Sequence, residues 1–186
     1  MKEFPEIRTD RLILGELSAK DIPQVIEYAG DKLVSDSTFN IPHPYEEKDA
    51  IYWINLAHQG FANKSHYVFG IRLKATKQFI GGVGIGINKN YDRGVLGYWI
   101  GVPFWNNGYV TEAVKAILAF GFDDLQLNKI FAIHLPDNPA SGKVMLKNGM
   151  IKEGEMKDHL KKGGKYLSVI QYRLTKAEYE LGGVAE

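Results

Sequence analysis

The segment Pro103-Phe104-Trp105-Asn106-Asn107-Gly108-Tyr109-Val110-Thr111-Glu112-Ala113 reads as a strand ending in a tight turn that opens a helix. Such a turn leaves the first N–H groups of the helix unpaired and aimed at one point, with the positive end of the helix dipole behind them. That arrangement suits a phosphate. Asn and Gly enter positive φ at least cost, so Asn106-Asn107-Gly108 can make the bend. Farther along, Asn138-Pro139-Ala140-Ser141-Gly142-Lys143-Val144-Met145-Leu146-Lys147-Asn148-Gly149-Met150 reads as a strand end, an Asn, and a short helix closed by glycine. The pair of segments implies a ligand with a pyrophosphate and a long polar arm.

The rest of the chain supplies a frame for them. Leu12 to Leu17 has the pattern of a first strand, and Ser18 with Asp21 resembles a capping box before a helix that Gly30 ends. Thr38 to Tyr45, with Pro42 and Pro44, is a loop. A helix begins at Glu46–Asp49, with Ile51, Ile54, Ala57 and Phe61 as its apolar stripe. His66–Leu73, Phe79–Ile87 and Val95–Val102 form an antiparallel meander. A helix spans about Gly108 to Phe122, then come a strand at Lys129–Leu135, the short helix from Pro139, and a closing strand pair at Ile151–Met156 and Tyr166–Thr175. This order predicts one domain over residues 1–186, with a mixed sheet and helices on its faces.

Composition removes several classes. The chain has 186 residues and no cysteine, which excludes disulfides, thiolate metal sites and a cysteine nucleophile. Its 23 basic and 22 acidic residues leave a net charge of +1, without the basic excess of a dedicated nucleic-acid binder. The basic run at Lys161-Lys162-Gly163-Gly164-Lys165 reads as a solvated hairpin turn. No apolar run approaches the length of a membrane span, and the charged start has no apolar leader. The expectation is a cytoplasmic protein with no membrane and no nucleic-acid partner. The five histidines show no metal-ligand spacing, so no metal is expected. Gly81-Gly82-Val83-Gly84-Ile85-Gly86 fails as a dinucleotide fingerprint, because Lys89 stands where a glycine is needed and a strand, not a helix, follows.

On Thr9-Asp10-Arg11-Leu12, the turn at Trp105–Val110 and the Asn138-Pro139-Ala140-Ser141 segment, the chain resembles the GNAT superfamily of acetyl-CoA-dependent N-acetyltransferases, and within it the ribosomal-protein-alanine acetyltransferase branch. The match to the family's pyrophosphate loop is partial. Gly108 is kept, Val110 is larger than the usual small residue, and Asn106 stands where the branch often has glycine. The resemblance implies an α+β fold: a GNAT-like mixed, mostly antiparallel, seven-stranded sheet with a central splay and helices on both faces. It implies acetyl-CoA as cosubstrate, with the backbone of Ile100, Gly101 and Val102 pairing with the pantetheine arm. The pyrophosphate falls to Asn107, Gly108, Tyr109, Val110 and Thr111, and the arm also to Asn138 and Ser141. Asn138 has capping of the following helix as its alternative role.

The inferred reaction carries an acetyl group to a primary amine, either a protein N-terminal amine or a small-molecule amine, by direct attack in a ternary complex. The family's usual tyrosine donor falls on Met145, so Ser141, the branch's proposed donor, is the candidate acid. The branch's acid falls on Val95. The remaining base candidates are His134, ranked first, and Tyr98, with a bound water as another route. His159 and Asp158 are candidates for the acceptor mouth, and His43, Tyr45 and Trp53 lie in the region that covers the acceptor in the family. An acyl-CoA-binding module without turnover is the alternative function. The protein is expected to be a monomer or a homodimer.

Overall fold

The structure, a computed structural model, describes residues 3–182. Eight strands form a single sheet in the order β1-β2-β3-β4-β5-β6-β8-β7. They are β1 (Ile7–Arg8), β2 (Leu12–Gly15), β3 (His66–Leu73), β4 (Phe79–Asn88), β5 (Arg93–Ile100), β6 (Lys129–His134), β7 (Ile151–Lys162) and β8 (Lys165–Thr175). The sheet therefore has one strand more than the seven expected. The addition, β1, is two residues long, too short for alternation to show in a sequence, and pairs Ile7 with Leu14 and Arg8 with Ile13.

Every neighbouring pair is antiparallel except β5–β6. That pair touches only at Arg93–Val95 against Lys129–Phe131. Beyond it the two strands part. β5 runs on to Ile100 while still paired with β4, and β6 stays paired with β8 up to His134. The sheet is splayed at its centre, and each strand presents unpaired backbone to the gap.

The α-helices are α1 (Ile22–Ala29), α2 (Lys32–Ser37), α3 (Glu47–Ala62), α4 (Tyr109–Ala119), α5 (Pro139–Lys147) and α6 (Lys176–Glu180). Alternation along β3 separates two cores. Phe69 and Ile71 join Leu12, Leu14, Ile85 and Leu96 against Ala113, Val114, Ile117 and Leu118 of α4. Val68, on the other face, joins Phe79 and Trp99 against Val25, Ala29, Ile54 and Ala57 of α1 and α3. The helical stripe of α4 is thus as the spacing predicts. In α3 the stripe is Ala50, Ile54, Ala57 and Gly60, and Ile51 is exposed instead of buried. α2 and α6 had no expected counterpart: at six and five residues they are too short to carry a periodic signal. Asp31 starts α2 by accepting the Leu33 N–H at 2.8 Å. No helix among the described residues is long and apolar enough to cross a membrane.

Candidate active site

The gap between β5 and β6 opens into a cavity of about 320 Å³. Its walls include Tyr98, Trp99 and Ile100 of β5, the turn Trp105, Asn106 and Gly108, the first turn of α4 (Tyr109, Val110, Thr111), Asn138 with Ala140, Ser141, Lys143, Val144 and Lys147 of α5, and Val34, Ser37 and Thr38 around the end of α2. Two segments read as a pair in the sequence, though some thirty residues apart, thus face one space.

The turn is left-handed at two points. Asn106 has φ 61° and Gly108 has φ 76°, and Gly108 is the N-cap of α4. No side chain caps this helix, and the N–H groups of Gly108, Tyr109, Val110 and Thr111 have no partner among the described residues. Four free donors at a dipole's positive end form a seat for an anion. A Cβ on Gly108 would meet only the Arg11 guanidinium, at 3.5 Å, so the glycine answers the backbone's need and not a close approach. Val110 borders the cavity and also packs on the core. Asn107 departs from expectation. Its side chain turns back to donate to the Trp105 carbonyl at 2.9 Å, and Asn106, not Asn107, reaches the cavity wall.

The opening motif braces this turn. Glu112, in the first turn of α4, accepts from the Thr9 hydroxyl (2.5 Å), the Arg11 N–H (2.8 Å) and Arg11 Nε (2.7 Å). Arg11 Nη1 donates to the Asn107 carbonyl at 3.0 Å, and its guanidinium lies 4.8 Å from the centre of the Tyr109 ring. Burial pushes the Glu112 carboxyl up, but the hydrogen bonds from Thr9 and Arg11 outweigh it and hold the group below its ordinary value. Thr9 and Arg11, which in the sequence only mark the resemblance, brace the start of α4 in the structure.

The backbone of β5 is less free than expected. The Gly101 N–H donates to the Ile80 carbonyl at 2.9 Å, and its own carbonyl accepts from Phe104 at 3.0 Å, so Gly101 has neither group to offer. The reason is that Val102–Phe104 is a 3₁₀ turn and not strand. The Ile100 carbonyl accepts the Trp105 indole N–H at 2.9 Å. The Val102 carbonyl accepts the Trp105 N–H, its own N–H has no partner among the described residues, and Val102 is not part of the cavity wall. Since Gly101 faces β4, alternation turns the backbone groups of Tyr98 and Ile100 toward the gap.

Asn138 is the N-cap of α5. Its Oδ1 accepts the Ser141 N–H at 3.2 Å and its Nδ2 donates to the Ser37 carbonyl at 3.0 Å. One turn into α5, Ser141 Oγ stands 2.9 Å from the Tyr98 hydroxyl, which also lies 3.0 Å from the Ser141 carbonyl. Burial pushes the Tyr98 hydroxyl up to about 12, against a downward pull from its hydrogen bond with Ser141. A phenol so placed keeps its proton at neutral pH and acts as a donor, not a base.

His134 is not brought to the cavity. It is buried at the end of β6, with Nδ1 2.8 Å from the Leu135 carbonyl, and must carry its proton there. Its Nε2 has no partner among the described residues and faces Gly142, where a Cβ would come within 2.8 Å. The side chain fills the space under α5 that a glycine leaves. Asp158 and His159 are exposed on β7, His43 is exposed, and Trp53 packs edge-on against Trp99 at 5.7 Å between ring centres. Lys143 and Lys147, one turn apart on α5, went unremarked in the sequence. Their i, i+4 spacing on the helix following Asn138 is the signal that would have found them. Among the described residues no group of three or more His, Cys, Asp or Glu is placed to share a metal ion.

A split mixed sheet places an uncapped helix start and a serine–tyrosine pair on one cavity, an arrangement whose free N–H donors suit an anionic ligand. The family follows from comparison. The profile of the acetyltransferase (GNAT) domain matches residues 11–151, and the chain belongs to that family and is an N-acetyltransferase. The uncharacterized N-acetyltransferase p20 of Bacillus licheniformis is 32% identical over 92% of this chain and 96% of its own. The ribosomal protein uS5-alanine N-acetyltransferase of Escherichia coli is 24% identical over 96% of this chain and 95% of its own, in keeping with the branch that the motifs resemble. Among solved structures, the microcin C7 self-immunity acetyltransferase MccE, in complex with acetyl-CoA and AMP, shares the fold at a TM-score of 0.80 and 19% identity, over 90% of this chain and 93% of its own.

Proposed function

We propose that the protein transfers an acetyl group from acetyl-CoA to a primary amine by direct attack in a ternary complex. The observation that carries this reading is that the four free N–H groups at Gly108–Thr111 and the Ser141–Tyr98 pair border one cavity. The first set would take the pyrophosphate, with Lys143 and Lys147 adding charge-assisted bonds to phosphate oxygens. The gap-facing backbone groups of Tyr98 and the N–H of Ile100 would pair with the pantetheine arm as an added strand does, the Ile100 carbonyl being held by Trp105. Asn138 acts first as cap and tether, since both ends of its amide are engaged.

In the reaction the neutral amine nitrogen attacks the thioester carbon, the C–S bond breaks, and the sulfur leaves as thiolate. The Ser141 hydroxyl supplies its proton. When the Tyr98 proton, which the Ser141 carbonyl can also accept, turns to Ser141 Oγ, the serine's own O–H is free to point into the cavity; Tyr98 then reprotonates Oγ and regains its own proton from solvent as product leaves. The titratable side chains on the cavity walls are Tyr98, Tyr109, Lys143 and Lys147, none of them a carboxylate or imidazole. The amine therefore arrives neutral and loses its second proton to water. The acceptor we favour is a protein N-terminal amine, on the likeness to the uS5-alanine enzyme. A cytoplasmic site of action fits that substrate.

The test combines binding and turnover. Coenzyme A at ~100 times its dissociation constant should stabilise the fold by ~2.7 kcal/mol in thermal melts, with NAD doing nothing. Thiol release from acetyl-CoA should follow addition of peptides with a free N-terminal alanine. A shift with NAD and none with coenzyme A would overturn the cofactor assignment. Binding without thiol release across peptides and small amines would favour a module that holds acyl-CoA without turnover.

A further inference from the structure

The tip of the β7–β8 hairpin reaches across to the end of α2. Lys162, the last residue of β7, donates from Nζ to the Ser35 carbonyl at 2.7 Å and to the Thr38 carbonyl at 2.8 Å. Gly163 and Gly164, with φ 55° and 81°, turn the chain so that Lys162 pairs with Lys165. The basic run that reads as a solvated turn thus sends one of its lysines inward. Burial pulls the Lys162 ammonium below its ordinary value, with Lys32 adding to the effect and Asp36 opposing it.

The contact closes the C-terminal end of α2, where carbonyls have no helical partner and a cation is favoured. The Val34 carbonyl is met by the hydroxyls of Ser37 and Thr38, and the Ser37 carbonyl by Asn138 Nδ2. The Ser35 carbonyl, which also accepts the Thr38 N–H and hydroxyl at 3.2 Å each, and the Thr38 carbonyl take the Lys162 ammonium. A hydrogen-bonded series therefore runs from the hairpin tip through α2 to Asn138, then Ser141, then Tyr98. Val34, Ser37 and Thr38, the residues so held, are cavity wall beside that serine–tyrosine pair. Among the described residues, the side-chain hydrogen bonds that link α2 to the hairpin and to α5 come from Lys162 and Asn138.

We propose that Lys162 is a positioning residue that fixes the α2 wall of the cavity for the incoming amine, touching neither donor nor acceptor itself. The functional half rests on the acetyl-transfer reading above. Lys162→Met removes the ammonium and keeps the stem, while Lys162→Arg restores donors that reach both carbonyls. Hydrogen exchange with mass spectrometry should show amides 33–39 exchanging at least ~10-fold faster in Lys162→Met and near wild type in Lys162→Arg, with α4 unchanged. With acetyl-CoA and an N-terminal-alanine peptide, KM for the peptide should rise ~10-fold in Lys162→Met, kcat should change less than ~3-fold, and coenzyme A affinity should stay within ~2-fold. Unchanged exchange at 33–39 would overturn the tether. Faster exchange with an unmoved peptide KM would overturn positioning and leave a purely structural contact. A wild-type protein that binds no coenzyme A would overturn the acetyl-transfer reading and the acceptor half with it, while the exchange arm still decides the tether.

Discussion

At the scale of single residues, the site divides into groups that move a proton and groups that shape backbone. In the proposed reaction Ser141 belongs to the first. A general acid contributes roughly 10²–10⁴ in rate, so Ser141→Ala should lower kcat by about 10²-fold while calorimetry finds coenzyme A affinity within ~3-fold. Unchanged turnover would remove Ser141 from the mechanism. Tyr98→Phe leaves Ser141 without its hydroxyl partner and should show a smaller loss. Gly108 belongs to the second group. Its φ of 76° costs any residue with a Cβ roughly 1–2 kcal/mol, yet the nearest atom to that Cβ would be at 3.5 Å. Gly108→Ala should therefore weaken coenzyme A ~5–30-fold without abolishing binding. Complete loss would mean that the space itself, and not the backbone conformation, is what the glycine provides.

At the scale of elements, the β1–β2 turn and the start of α4 act as one unit through Glu112. The Arg11–Glu112 pair is half exposed on the arginine side, and on its own such a pair is worth about 0–1 kcal/mol. The bonds to the Asn107 carbonyl and the stack on Tyr109 add to it, so Arg11→Ala should cost about 1–2 kcal/mol of stability in denaturant unfolding and loosen coenzyme A several-fold. The sign of the pH effect follows from Glu112. Its folded-state pKa lies below the unfolded value, so the brace contributes fully above that unfolded value and is lost as pH falls through the folded one. The stability gap between wild type and Arg11→Ala should be full at pH 6 and shrink toward pH 3; a gap constant with pH would assign the effect to packing.

Elements of this size also show what a sequence carries. The stripe of α4, the meander and the two facing motifs were legible because each has a period or turn chemistry that survives in one dimension. The two-residue β1, the six-residue α2 and the end of β5 were not, since each is fixed by partners far along the chain. His134 shows a related limit: a lone strand histidine reads both as a base candidate and, more often, as a structural residue, and only the glycine across from it, Gly142, shows the space that it fills.

For the whole molecule, the decisive property is what its cavity lacks. Tyr98 holds its proton to about 12, His134 lies away from the wall, and the position expected to bear an acid is Val95. If no side chain takes the amine's proton, the enzyme selects the neutral fraction of its acceptor from solution. The rising limb of kcat/KM against pH should then carry the acceptor's own pKa: near 7.7–8.0 for a peptide N-terminus and near 10.4 for a lysine-type amine. With saturating acetyl-CoA, profiles from pH 6 to 10 for an N-terminal-alanine peptide and for an alkyl amine should be offset by about two units or more. Two profiles sharing one inflection near 6.5 would instead reveal a protein base, and with it a rearrangement that brings an imidazole to the gap. In the proposed reaction the same offset would create a preference among acceptors that needs no recognition of side chains. At neutral pH a peptide N-terminus is roughly 10% neutral or more, against less than ~0.1% for a lysine-type amine, so without a protein base the availability of the neutral form alone would favour the N-terminal amine by more than ~10²-fold, an advantage that the greater nucleophilicity of the more basic amine reduces.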